Sequence, residues 1–322
     1  MEAAPTYSDV LAALPRVHAV LQPTLLRAWP GLCELLECRF YLKHENHQPV
    51  GAFKVRGGIN LMATLSPEER AAGILGVSTG NHGQSLAFAA EHLGVRCTIV
   101  VPQGNNPDKN RAIRQLGAEL IEHGRDFDEA REYVAELQRE RGGRYVHSAN
   151  EPKLIAGVGT LTWEIFEKLP DPDVLLVPIG LGSGVCGACL VAKARRPQTK
   201  IIGVQAANAP AVARSWQTGR WIEEPSARTW AEGMATRVPA QMTLEIMRTQ
   251  MDDVILVSED EMRQAAALLL QHTHNLAEGA GAATLAAALQ QRARFAGQKV
   301  VAILSGGNLD LAQLPSILGA LI

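Results

Sequence analysis

The sequence predicts an α/β protein organised around mainly parallel β-sheet. Three observations lead there. Short apolar, β-branched runs alternate with longer stretches of helical periodicity. Nearly every such run ends in a cluster of Gly, Ser, Pro or Asn. The 322 residues, 47% apolar and 20% charged, suffice for one large or two smaller globular domains.

The strands are expected, in order, at 39–43, 73–77, 98–101, 119–121, 144–147, 174–178, 201–205, 253–257 and 299–304. Helical patterns fall between most of them, at 81–93, 107–116, 127–141 and 259–272. Strand–helix alternation of this kind reads as βαβ units. In open parallel sheets ligands sit beyond the carboxyl ends of the strands, so several loops are placed to converge on one site. The alanine-rich stretch 280–288 reads as a buried helix. Residues 219–240, rich in proline, tryptophan and charge, read as a long surface excursion, a poorly regular connection rather than a lid.

The formal net charge of −2 gives no reason to expect nucleic acid or an anionic membrane as partner. No uncharged apolar run approaches the ~18 residues that span a bilayer. The segment from Met1 to Tyr7 lacks a basic region followed by an apolar core, so no secretory signal is expected. Five cysteines in a chain of this length do not make a disulfide framework, and a cytoplasmic location is expected. Cys186 and Cys189 have redox-like spacing but no second ligand pair for zinc, and read as packed helix residues.

Four motifs carry chemistry. The first is Lys54, within Pro49-Val50-Gly51-Ala52-Phe53-Lys54-Val55-Arg56-Gly57-Gly58. In an apolar, glycine-flanked setting desolvation disfavours the ammonium. The neutral amine can then form a Schiff base with an aldehyde cofactor. The second is Ser78-Thr79-Gly80-Asn81-His82-Gly83, between a strand and a helix. It is either an anion site at a helix amino end or an ordinary helix start capped by Ser78, Thr79 or Asn81. The third is Gly180-Leu181-Gly182-Ser183-Gly184-Val185-Cys186-Gly187, again between strand and helix. Its glycines let the backbone wrap a phosphate. Gly182, Gly184 and Gly187 also match Gly-x-Gly-x-x-Gly, but the next strand, ending near Gln205, offers no acidic residue for a dinucleotide ribose. The fourth is Ser305-Gly306-Gly307-Asn308, after the last strand, either a turn or a hydroxyl donor to a neutral ring nitrogen.

In this order the four motifs resemble the fold type II pyridoxal-phosphate enzymes, nearest to the threonine/serine dehydratase and serine racemase group. The resemblance begins near Leu42-Lys43-His44-Glu45 and runs through His147-Ser148-Ala149-Asn150 and Ala277-Glu278-Gly279-Ala280 to the Ser-Gly-Gly-Asn ending. It implies two open parallel-sheet α/β domains with the active site in the cleft. Residues 1–54 and 147–322 form the large, cofactor-binding domain, and 55–146 a small mobile one. Lys54 then carries pyridoxal 5'-phosphate and serves as the Cα base. Phe53 and Asn81 flank the ring, and Asn81 meets its phenolic oxygen. Gly180, Leu181, Gly182, Ser183 and Gly184 hold the phosphate, and Ser305 faces the pyridine nitrogen. Ser78, Thr79, Gly80 and His82 surround the substrate carboxylate, and Glu278 lines the substrate side. The implied reaction is β-elimination from a β-hydroxy amino acid, L-threonine or L-serine first, giving a 2-oxo acid and ammonia. The bound phosphate stands nearest the leaving group as acid. A homodimer is implied.

Departures from the family pattern refine this. Ala52 replaces a usual serine. Thr79 stands where racemases carry a second acid/base serine, so it is the candidate second proton carrier, and racemisation is expected to be minor. Leu181 and Ser183 interrupt the usual tetraglycine. Asn208, Val212 and Arg214 occupy the places of acidic cation ligands, so no metal is expected and a chelator should leave activity intact. The sequence ends soon after Asn308, so no feedback through a carboxyl-terminal regulatory domain is expected. Dehydratases of 3-hydroxyaspartate, phenylserine or a hydroxyectoine-catabolism intermediate are alternatives within the group. So are a serine racemase-like enzyme and β-replacement. Outside it stand a nicotinamide oxidoreductase and a catalytically silent partner subunit, against which the intact Lys54 argues.

Overall fold

The computed structural model describes residues 3–320; Met1 and Glu2, part of the amino-terminal segment read above, lie outside them. Among the described residues ten strands form two sheets: β1 (Leu26–Ala28), β2 (Arg39–His44), β3 (Ile74–Val77), β4 (Cys97–Val101), β5 (Glu119–Glu122), β6 (Arg144–Tyr145), β7 (Val174–Pro178), β8 (Lys200–Ala206), β9 (Asp253–Val257) and β10 (Lys299–Leu304). The larger sheet has the order β1-β2-β10-β7-β8-β9, and the smaller β5-β4-β3-β6. All pairings are parallel except β1 with β2.

Parallel strands are covered on both faces, and these read accordingly. Every residue of β3, β4 and β7 is buried. The edge strand β5 buries none of its four residues fully. Two apolar clusters sandwich the large sheet, and two smaller ones cover the small sheet. The alanine-rich helix Gly279–Gln290 is buried from Gly279 to Ala288, as expected. Its small side chains let it lie close to the end of β10, where a Cβ on Gly281 would collide with the Gly306 carbonyl.

The expected elements are present with small shifts at their ends. The strand anticipated at 144–147 stops at Tyr145, because the His147 ring turns back to accept from the Ala149 and Asn150 amides at 3.0 Å each. The antiparallel β1, three residues with no buried position, carries no apolar signal and was not expected. Residues 219–240 are irregular apart from the short turn Glu232–Met234, yet the reading of a surface excursion needs correction. Ala231 and Met234 are fully buried, and Trp230 packs against the same cluster as the large sheet.

Beneath the lysine segment lies a buried charge cluster. Arg56, at the start of the helix Val55–Ala63, donates to both carboxylate oxygens of Glu45 at 2.7 and 2.8 Å. It also donates to both oxygens of Glu164, at 2.6 and 2.8 Å. Lys43 donates to Glu164 at 2.5 Å and to the Thr24 carbonyl at 3.0 Å. Burial of four charges is tolerated only with pairing this complete. The cluster fastens the helix that follows Lys54 to β2 and to the helix Pro152–Lys168 of the large body.

Candidate active site

The loops after β2, β3, β7 and β10, all at carboxyl strand ends, meet at Lys54. The lysine segment is pinned against the last motif by an antiparallel bridge of Ala52 to Gly306. The Phe53 amide donates to the Ser305 carbonyl at 3.0 Å, and the Gly307 amide to the Gly51 carbonyl at 2.9 Å. Lys54 Nζ donates to Ser183 Oγ at 2.8 Å and to the Ser148 carbonyl at 3.3 Å. Burial pushes its pKa down to about 8, so the amine loses its proton far more readily than a solvated lysine. The apolar setting read from the sequence is therefore real, and no anionic side chain stabilises the ammonium.

The glycine loop opens the thirteen-residue helix Ser183–Arg195. Gly182 caps it at φ +102°, a conformation that disfavours any side chain. Its added Cβ would also stand 3.0 Å from Thr243 Cβ. Thr243 donates to the Leu181 carbonyl at 2.5 Å and fixes the loop from outside. A Cβ on Gly184 would touch the Phe53 ring at 3.4 Å, and one on Gly180 would collide with the Gly233 carbonyl. Backbone amides at a helix amino end, bared by glycines and facing a lysine, fit a phosphorylated aldehyde. Ser183 and Ser305 are each 2% exposed, and the Ser305 carbonyl accepts from the amide of Phe53, the residue before the lysine that Ser183 Oγ meets.

On the small-sheet side, Asn81 Nδ2 donates to Glu278 Oε1 at 2.7 Å, and Asn81 Oδ1 accepts from Asn308 at 2.8 Å. Asn308 also donates to the Val50 carbonyl at 2.8 Å. The second, third and fourth motifs are thus tied to the lysine segment by hydrogen bonds. Burial raises the Glu278 carboxyl to about 7, with the Asn81 hydrogen bond opposing. A small cavity of about 150 Å³ opens beside Glu278, lined also by Lys109, Trp230, Glu232 and Asn308. A wider, open depression of about 590 Å³, near Asp173 and Lys200, lies at the amino ends of the strands and away from this chemistry.

Ser78, Thr79, Gly80 and His82, expected around the substrate carboxylate, lie at the amino end of the helix Asn81–Leu93. Ser78 Oγ accepts from the Gly83 amide at 2.9 Å and the Gly80 amide at 3.3 Å, so its hydroxyl caps the helix Asn81–Leu93. His82 is 6% exposed, with Nε2 3.5 Å from the Val146 carbonyl. Burial and the neighbouring Lys54 push its pKa down to about 3, so the ring is neutral. Its Nδ1 is buried without a partner among protein groups. Thr79 and Gly80 remain partly open at the cleft. Cys186 and Cys189 are core residues with free thiols, as the packed-helix reading holds. Arg214 pairs with Glu224 at 2.5 Å. Among the described residues no group of three or more His, Cys, Asp and Glu is arranged to hold a metal. None of their helices is long and apolar enough to cross a membrane.

Sequence reasoning assigned no role to Asn308, Ser148, Lys109 or Glu232. Asn308 stood in the motif, but only its partners reveal it. Ser148 acts through its carbonyl, which no residue type announces.

Comparison with known proteins agrees with this geometry. The chain is 38% identical over 313 residues to the L-threonine ammonia-lyase of Thermotoga maritima, covering 97% of this chain and 78% of that one. Among solved structures, the processed form of threonine deaminase isoform 2 from Solanum lycopersicum superposes with a TM-score of 0.93 at 30% identity, covering 98% and 90%. Maize serine racemase does so at 0.93 and 28% identity, covering 98% and 97%. These matches set aside the dinucleotide reading of the glycine loop. The family model for the pyridoxal-phosphate dependent enzymes matches residues 18–306, and the chain belongs to that family.

Proposed function

We propose that the chain eliminates the β-hydroxyl of an amino acid, L-threonine or L-serine first, and releases a 2-oxo acid and ammonia. The observation that carries this reading is the meeting of a buried, easily deprotonated Lys54 amine with the glycine cradle and Ser305 in one cleft. The similarity to threonine ammonia-lyase and threonine deaminase supports the substrate class.

Gly180 to Gly184 would hold the phosphate, Phe53 and Asn81 would border the ring, and Ser305 would face its nitrogen. Bound there, pyridoxal phosphate supplies an electron sink for the charge that develops at Cα. Lys54, as the neutral amine, removes the Cα proton, and Ser183 holds that amine in place. A serine beside the ring nitrogen, unlike a carboxylate, gives no charge to a protonated ring. That favours rapid loss of the β-hydroxyl as water over prolonged storage of negative charge. Hydrolysis of the resulting enamine then yields the oxo acid and ammonia. The substrate carboxylate is placed at Thr79 and Gly80 and the amides that open the helix after them. Ser78, which also accepts from the Gly83 amide, and neutral His82 would border the same carboxylate. Thr79 offers a hydroxyl for reprotonation from the opposite face, but its methyl crowds the approach, so racemisation is a minor side reaction.

We further place the protein in the cytoplasm and expect a homodimer formed through the large domain, which light scattering on the purified protein tests. The function is tested by recording the visible spectrum of the holoenzyme while titrating β-hydroxy amino acids and assaying oxo acid and ammonia. A band that shifts with L-threonine or L-serine, with equimolar products, is expected. Rapid exchange of D- and L-serine without oxo acid would overturn the elimination reading.

A further inference from the structure

The segment 219–240 crosses from the large body to the helices of the small sheet, and it does so through charge. Lys109, on the helix Pro107–Gln115, forms an ion pair with Glu232. Arg237 lies 3.9 Å from Asp128, on the helix Phe127–Arg141. On its other side the segment is rooted. Ala231 and Met234 are fully buried, and the Trp230 amide donates to Glu259 at 3.0 Å. Between these anchors, the Gly233 carbonyl lies directly over Gly180 of the glycine loop. One turn of chain therefore touches both the small domain and the cradle.

Lys109 is an unusual lysine. Its side chain is only 12% exposed, whereas its partner Glu232 is 47% exposed. It also lines the cavity beside Glu278. An amine drawn that far inward at a domain seam serves the seam rather than solubility. We infer that Glu232 and Lys109 form a latch that holds the small domain against the cleft, with Glu232 as a positioning residue acting through Gly233 on the glycine loop. Arg237 and Asp128 form its outer, weaker member. The inference rests on the cleft being the substrate site.

If only the latched form binds substrate productively, loosening it taxes apparent affinity by the fraction unlatched. A half-exposed pair sets the scale at about two- to fivefold. In the holoenzyme, Glu232→Gln is expected to raise KM by that factor with a smaller change in kcat. The parent protein's KM is expected to rise with ionic strength, and the substitution should blunt that rise. The double reversal Lys109→Glu with Glu232→Lys should recover most of the lost affinity. Hydrogen exchange without substrate supplies a readout independent of turnover. The amides of residues 108–115 should exchange faster in Glu232→Gln and return toward the parent rate in the double reversal. Unchanged exchange and KM in Glu232→Gln, or a double reversal no better than Lys109→Glu alone, would overturn the latch. Faster exchange with no turnover of any amino acid would instead keep the latch and sink the substrate reading.

Discussion

Two sets of charges flank Lys54, and they are built in opposite ways. Below it, Lys43, Glu45, Arg56 and Glu164 are each no more than 3% exposed and exchange a dense set of short hydrogen bonds. Across the cleft mouth, Glu232, Arg237 and Asp128 are each about half exposed. The same ion chemistry does different work in the two settings. Two unit charges 4 Å apart attract by about 1 kcal/mol in water but by about 4 kcal/mol near a protein surface of lower effective dielectric. An exposed pair is worth about 0–1 kcal/mol and can open and reform. A buried set cannot open without stranding charge. The buried set fixes the base of the site, while the exposed pairs at the mouth can break at little cost, which suits the cleft closure proposed above.

The comparison breaks first at Lys54 itself. Lys54→Ala should reduce turnover by at least about 10²–10⁴-fold, with the visible cofactor band lost. Its thermal melt should hardly change, since desolvation makes the native lysine a cost rather than a support. Retained turnover would remove Lys54 from its role. Arg56→Met sits two residues away and should do the converse. It leaves Glu45 and Glu164 buried without their shared guanidinium, a loss of about 3–5 kcal/mol. Urea unfolding of the variant measures this. A loss below 1 kcal/mol would mean that the four-charge set is not the fixed base described above.

Much of this was legible before any coordinates. The strands 174–178, 253–257 and 299–304 are bounded as expected, because each is an apolar run rich in Val, Ile and Leu, broken only by a leading Asp253 or Lys299 in the last two, and such a run leaves a nearly continuous signal. The four motifs were found because glycine, serine and lysine at strand ends are chemically loud. What was not legible depends on long-range partners. Arg56 and Glu164 are separated by 108 residues, and nothing local tells a fully buried arginine from a solvated one. Ser78 read equally as a carboxylate ligand or a cap, and its acceptance from the Gly80 and Gly83 amides, which no local pattern announces, shows that it caps without excluding the other role. The seam between Lys109 and Glu232 spans 123 residues and lies in a stretch whose composition suggested plain surface.

Glu278 stands beside the Lys109–Glu232 pair, accepting from Asn81 while Lys109 draws its pKa down and Glu232 pushes it up. Burial dominates and raises the carboxyl from 4.5 to about 7. The folded protein therefore holds a proton that the unfolded chain has released. That contributes stability fully present below about pH 4.5 and lost as pH rises through about 7. Glu278→Gln removes the titration while keeping an acceptor for Asn81. The variant's melting temperature should fall behind or match the parent near pH 4.5 and gain on it by a few degrees by pH 8. A difference independent of pH would mean that Glu278 is solvated across this range. Glu232→Gln removes a negative neighbour and, with the small domain released, admits water, both of which lower the Glu278 pKa, while withdrawal of Lys109 opposes them. The shift in Glu278 titration between the latched and unlatched proteins, read by the same melts, thus reports how tightly the mobile side closes on the fixed one.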